Sequence, residues 1–238
     1  MPVCALAALL ALPIACGADP PAPAAADDLV ARVEGEPVRR AEIERLATFQ
    51  ALSFPNHSID ALRGNALAGS LLPRALARAR HPREEAAARE KIDLARARLD
   101  AGEAFETVAA EMSDALAGER GDLGLLAIGD LDPLLGVEIF ESAVGEVRGP
   151  VRTRFGWHLL RVSERHEAPR PWETAIHLHQ ILARIAPDAG ADRRLLEALR
   201  EEAIVEPVDR EFFERIRPAA LRVRAPEAGR RPEGGKKP

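Results

Sequence analysis

The chain has 238 residues, enough for one or two domains with a real core, and 47% of them are apolar. Only 4% are aromatic, tyrosine is missing, and alanine and arginine dominate, a balance that favours helix. A net charge of −5, with no basic stripe interleaved with aromatics, gives no footing for nucleic acid. Both cysteines, Cys4 and Cys16, lie near the N-terminus and leave the folded body without a disulfide framework or a thiolate metal site.

Residues 3–14 form an apolar and small-residue run, too short for a stable membrane anchor, and it ends in Leu12-Pro13-Ile14-Ala15-Cys16-Gly17. This resembles an export signal over residues 1–16 with a lipoprotein cleavage box, after which Cys16 would carry the lipid. No basic residue precedes the run and Pro13 stands where the box usually has leucine, so a plain cleaved signal or a misplaced start stays open. Residues 17–28 are rich in proline and alanine without periodicity, a tether.

Residues 29–38 read as two short strands about Glu34-Gly35, followed by a helix from about Arg40. Residues 59–80 place Leu62, Ala66, Leu67 and Leu71 at helical spacing, so 29–82 is expected to be an N-terminal, mainly helical region. After Pro82 a long helix runs over 83–101, with Ala88, Ile92, Ala95 and Leu99 in one stripe. Glu85 and Arg89 pair four apart on its outer face, and Gly102 ends it. A short helix over 105–112 follows, then a strand over 125–128, a helix over 133–143, and a hairpin that holds His158 beside a glycine suited to close backbone approach.

Residues 172–185 are ambiguous. Ile176-His177-Leu178-His179-Gln180-Ile181-Leu182 has the look of a strand, yet Leu178, Ile181, Leu182 and Ile185 sit at i, i+3, i+4 and i+7. With Pro171 fit for a first helical turn, the segment reads as helix, and 171–224 as a C-terminal helical region. A further helix is expected over 192–203, an extended piece over 204–208, and a disordered tail over 225–238.

The run 145–162, through Gly149-Pro150, Thr153, Phe155-Gly156 and Trp157-His158, resembles the closing segment of the parvulin-type peptidyl-prolyl isomerases. Met112-Ser113-Asp114 followed by Gly121-Asp122-Leu123-Gly124 is a second piece of the same pattern, in the right order. The resemblance covers 83–166. It implies an α+β fold: a small parvulin-like domain, an antiparallel sheet with surrounding helices, flanked by N- and C-terminal helical segments packed on each other. The family's closing histidine falls on His158 and its threonine on Thr153, the catalytic candidates. Its proline-pocket pair falls on Leu131 and Leu135, with Phe140 and Phe155 as further substrate-binding positions.

Two positions depart from the family. Ala115 stands where it has cysteine or aspartate after Ser-Asp, and its first-strand histidine has no clean counterpart. His81 is near the expected place, and Gln180 is the match only if 176–182 is the first strand, displaced.

Rotation about an X-Pro amide faces a barrier of roughly 18–20 kcal/mol and makes or breaks no bond. An apolar cup, exclusion of water and hydrogen bonds suited to the twisted amide are what it needs. No cofactor or metal is implied, and His177 and His179, two apart, fall on different faces of the expected helix. The expected function is isomerisation of X-Pro bonds in unfolded exported polypeptides, at a membrane held through Cys16 and facing the periplasm or cell exterior. A parvulin-shaped chaperone with little catalysis is the alternative, favoured by Ala115 and the missing histidine.

Overall fold

The computed structural model describes residues 28–116, 118–140, 142–185 and 190–217. Cys16 and the proposed signal, most of the tether and the tail after 217 lie outside them.

Both ends of the described chain build one unit. Strands β1 (Leu29–Val33) and β2 (Glu36–Arg39) form the hairpin about Glu34-Gly35, and β7 (Val205–Pro207) adds antiparallel to the other edge of β1, giving the order β2-β1-β7. Helices α1 (Arg40–Ser53), α2 (Ile59–Ala66), α3 (Leu72–Arg80), α7 (Ala191–Glu201) and α8 (Arg210–Ile216) pack around it. Its core joins Val30, Ile43, Leu67, Leu76, Leu199 and Phe213, so residues far apart in sequence share one apolar interior. Between α2 and α3 the helix widens to a π turn over Leu67–Leu71. Pro73 follows at the start of α3, and the wider turn relieves the clash its ring would make with the carbonyl four residues back.

The second unit runs α4 (Pro82–Asp100), α5 (Phe105–Met112), β3 (Asp122–Ala127), α6 (Pro133–Ile139), β4 (Val147–Arg152), β5 (Gly156–His166) and β6 (Ala175–Arg184). Its sheet has the order β3-β6-β5-β4 and is antiparallel throughout. One face packs on α4 and α5 through Ile92, Phe105, Val108, Leu159 and Ile181. The other meets α6 and Phe49 of α1 through Ile128, Leu135, Ile139, Leu160 and Leu178. The fold is α+β, with the sheet between helical layers.

The central strand corrects the helical reading of 172–185. Leu178, Ile181, Leu182 and Ile185 do not form one stripe: Leu178 faces α6 with Ile176, while Ile181 and Ile185 face α4 and α5. A strand buried on both faces carries apolar residues at consecutive positions, and such a run mimics helical spacing. β6 pairs with β5 from Ala175 to Arg184 and with β3 on its other side.

Two glycines seat it. A Cβ on Gly121 (φ +80°) would lie 2.4 Å from the Gln180 carbonyl oxygen, and one on Gly156 (φ +149°) 2.0 Å from that of Ala183. The Ser113-Asp114 motif clasps the far end of the strand. Ser113 Oγ accepts the Leu182 N–H at 3.0 Å, and the Asp114 N–H donates to the Leu182 carbonyl at 2.7 Å.

Glu85 is also corrected. It is 7% exposed and pairs with Arg152 of β4 at 2.6 Å, while Arg89 pairs with Asp93 instead. Arg152 donates onward to the Arg74 carbonyl of α3 at 2.8 Å, and Leu134 of α6 enters the core of the terminal unit, so the two units are fastened together. No helix among the described residues is long and apolar enough to cross a membrane.

Candidate active site

The polar half of the site hangs from β5 and β6. His158 and Leu182 are paired in register, and Gln180 lies two residues back on β6, on the same face. His158 Nδ1 stands 3.2 Å from Gln180 Oε1, and its Nε2 stands 2.8 Å from Thr153 Oγ1. An amide oxygen only accepts, so the ring proton sits on Nδ1 and points at Gln180. Nε2 is then the acceptor, and the Thr153 hydroxyl donates to it. Thr153 Oγ1 in turn accepts the Phe155 N–H at 3.1 Å, closing a chain in which each bond orients the next.

Thr153 and His158 are 0% and 3% exposed. Burial holds the His158 pKa down to about 4, Arg184 adds to the depression, and the Gln180 bond opposes it. The imidazole is therefore neutral across the physiological range. With both nitrogens engaged it is built to hold a shape rather than to pass a proton.

The apolar half is carried by α6 and the turns at its ends. Asp132 caps α6, its Oδ1 accepting the Leu134 N–H at 3.0 Å, and Pro133 supplies a first-turn residue with no N–H to satisfy. At the other end the Arg165 guanidinium of β5 donates to the carbonyls of Ile139 (2.9 Å), Phe140 (3.2 Å) and Ser142 (3.1 Å). A cation on the last carbonyls both satisfies them and complements the helix dipole, and here it also fixes α6 to the sheet. Leu135 is 8% exposed, and Leu131 and Phe140 pack half-buried against the same cluster. Phe140 meets Phe49 edge to face at 5.8 Å.

Phe155 lies in the turn between β4 and β5 with the Arg154 guanidinium 4.4 Å above its ring. With Leu131, Pro133 and Arg154 it lines a cleft of about 690 Å³ that is also lined by Gln50, Asn65 and Gly69 of the terminal unit.

The structure thus brings Leu131, Leu135 and Phe140 into one cluster and His158 with Thr153 into one buried chain. It opens only Leu131 and Phe155 to the cleft. Gln180 is the partner that the helical reading of 172–185 set aside, and the signal for it was the glycine pair that leaves room for its strand. His81 lies between α3 and α4 rather than on a strand of the sheet. Ala115 sits beside the end of β6, its N–H and carbonyl both bonded to Ser113 Oγ. On the opposite face of β6, His177 and His179 lie side by side with rings stacked at 5.2 Å, not on different faces as a helix would put them.

A four-stranded antiparallel sheet with helices on both faces carries the buried histidine–threonine pair, the arrangement that the parvulin resemblance implies. Residues 74–164 match the rotamase family, the PPIC-type PPIASE domain. The match stops short of β6, so the strand at the centre of the sheet comes from beyond the segment that carries the family pattern.

Among curated proteins the chain is 38% identical over 125 residues to a chaperone SurA of Methylobacillus flagellatus, covering 51% of this chain and 28% of that protein. It is 34% identical over 123 residues to a chaperone SurA of Nitrosospira multiformis, with the same shares. A foldase protein PrsA of Halalkalibacterium halodurans is 33% identical over 96 residues, 40% of this chain and 28% of that one. The chain spans little more than a quarter of the length of these relatives. No solved structure gives a significant match.

Proposed function

We propose that this chain is a peptidyl-prolyl cis-trans isomerase that assists the folding of exported proteins. The observation that carries the reading is the buried chain Gln180–His158–Thr153 set beside the Leu131–Leu135–Phe140 cluster on one face of the sheet. A proline ring held against those apolar side chains, with Phe155 at the cleft mouth, leaves its amide in a dry setting. A twisted amide loses less there than a planar one, because it has less resonance to protect and less charge separation to solvate. His158 and Thr153 act in this account by fixing the floor of the cup, and a neutral imidazole suits a reaction that moves no proton. The relatives' names, chaperone and foldase, agree with unfolded polypeptides as the clients.

A second reading, a chaperone with little catalysis, draws on two positions. Gln180 replaces the histidine that the family resemblance calls for, and Ala115 offers no side-chain polar group beside the amide. A protease-coupled isomerisation assay on a panel of X-Pro peptides, run beside aggregation suppression, separates the two. The isomerase reading expects His158→Ala to lower turnover at least tenfold while suppression persists. Turnover absent in the parent chain with suppression intact would leave the chaperone reading alone.

Export and a lipid on Cys16 belong to the same proposal. They rest on the apolar run at 3–14 and the box ending in Cys16-Gly17. Cys16→Ser should move the protein from the membrane fraction to the soluble exported one, and unchanged fractionation would leave only a plain signal peptide.

A further inference from the structure

The face of β6 turned away from His158 carries a group that the isomerase reading does not use. His177 and His179, two apart on the strand, project to the same side, and Asp122 at the head of β3 stands in register with His179. One donor atom from each lies within 4.8 Å of the others. We infer that Asp122, His177 and His179 form a binding site for a divalent transition-metal ion, zinc being the best match.

The hydrogen bonds around the three residues favour that assignment. Ser163 Oγ donates to the His177 carbonyl at 3.4 Å and stands 3.2 Å from His179 Nε2, so it accepts from that nitrogen. The proton of His179 is therefore on Nε2, and its Nδ1 keeps a lone pair. That Nδ1 is buried and has no hydrogen-bond partner, although a buried polar atom without one is rare and costly. An imidazole held by an outer hydrogen bond at one nitrogen, with the other bare, is the arrangement in which histidine ligates a metal.

His177 Nε2 donates its proton to Asp122 Oδ1 at 2.7 Å. A metal entering between them would displace that proton to solvent and take both atoms as ligands. Ligand atoms on a tetrahedral zinc at about 2.0–2.2 Å lie roughly 3.4 Å from each other, so separations of up to 4.8 Å have to close, the 2.7 Å His177–Asp122 pair has to open, and one of the two stacked rings has to turn toward the ion. The Asp122 oxygen also accepts the Gly124 N–H at 2.7 Å, which steadies the carboxylate.

Two features define the kind of ion. Imidazole nitrogens favour zinc, copper, nickel or iron over calcium or magnesium, and two nitrogens with one carboxylate leave at least one position for water. The nearest cation, Arg161, is register partner to His179, but it pairs with Glu106 and lies 4.9 Å over the Phe105 ring. Its charge is thus committed toward α5. An ion here would tie β3 to β6, the strand that brings Gln180 to His158.

The test uses the full chain without an affinity tag, stripped with chelator, with both cysteines changed to serine so that Cys4 and Cys16 do not compete. Titration with zinc chloride by calorimetry should give one site per chain with micromolar affinity or better. Cobalt(II) in its place should show d–d bands of a nitrogen–oxygen site. The double variant His177→Ala/His179→Ala should lose at least thirtyfold in affinity, and Asp122→Asn at least fivefold. His57→Ala, His81→Ala and His166→Ala should leave the titration unchanged. Where the double variant folds poorly by circular dichroism, the His179 Nδ1 shift in long-range nitrogen NMR of the parent decides, and it should move on adding zinc. A stoichiometry and affinity unaffected by these substitutions, or a His179 ring that does not respond to zinc, overturns the site. None of these readouts depends on isomerase activity.

Discussion

On the α6 face of the four-stranded sheet, His158 is 3% exposed and both its ring nitrogens are bonded. On the α4–α5 face, His177 and His179 are half-buried, stacked on each other, and reach an exposed carboxylate. One strand, β6, serves both, with Gln180 pointing to the first face and its neighbour His179 to the second. Burial decides what each histidine can be. Away from water the charged imidazole costs too much and the ring becomes a neutral hydrogen-bonding plate. Nearer the surface the ring pays less of that cost.

The closed face depends on how tightly β6 is seated, and the largest expected effect tests that directly. Gly156→Ala puts a methyl 2.0 Å from the Ala183 carbonyl oxygen at a φ of +149°, which a side chain rarely adopts. The backbone of β5 or β6 has to move, and destabilisation above about 4 kcal/mol is expected by urea unfolding. A loss under about 1 kcal/mol would mean that the two strands are not this close, and the His158–Gln180 bond would fall with them.

Next comes the ion pair at the margin of that face. Glu85 and Arg152 are both largely buried, and burial pulls the Arg152 pKa down while Glu85 holds it up. Glu85→Ala leaves the guanidinium buried without its carboxylate and should cost about 3–5 kcal/mol. Arg89, which the sequence would pair with Glu85, is bonded to Asp93 on the surface, and Asp93→Ala should cost no more than about 0.5 kcal/mol. Equal effects of the two substitutions would break the contrast.

The pH profile distinguishes the faces through one residue. His158 titrates near 6.5 when unfolded and at about 4 when folded, so between those values the unfolded chain binds the extra proton. Stability then rises with pH: the contribution is complete above about 6.5, fades as pH falls toward 4 and is gone below it. At about 1.4 kcal/mol per pH unit the whole effect is about 3 kcal/mol. His158→Gln should remove that slope from unfolding free energies measured between pH 4 and 7, relative to the parent chain. A slope that survives would assign it to the carboxylates instead.

How far the sequence could be read follows the same division. Elements with one buried stripe were plain: α4 and α5 stand at 82–100 and 105–112, as their apolar spacing indicates. The order helix, helix, strand, helix, strand, strand through residue 166 follows from turn residues and period alone. β6 was hidden because both its faces are buried, so its apolar residues carry no alternation, and by chance they meet a helical template. That one segment also concealed Gln180 and the pairing of His177 with His179. Local pattern gave no hint that a strand from the far end would fill the centre of the sheet. The hint lay in Gly121 and Gly156, two glycines that leave room for a backbone the sequence does not otherwise announce.

The smallest effect is expected on the open face, and it tests the other half of the comparison. The Asp122 carboxyl is held below its ordinary range, first by the Gly124 N–H and then by His177. Its side chain is 41% exposed, so water screens the pairing with His177. Asp122→Asn keeps an oxygen for the Gly124 N–H and loses only the charge. In buffer containing chelator it should therefore shift the unfolding free energy by less than about 1 kcal/mol. Breaking an equally short bond on the closed face, with Thr153→Val, leaves His158 Nε2 buried without its donor and should cost about 1–3 kcal/mol. The two bonds are nearly the same length, 2.7 and 2.8 Å, so distance does not separate them. If Asp122→Asn proves the costlier of the pair without metal present, the open face is not the solvated, adaptable surface that ion binding requires.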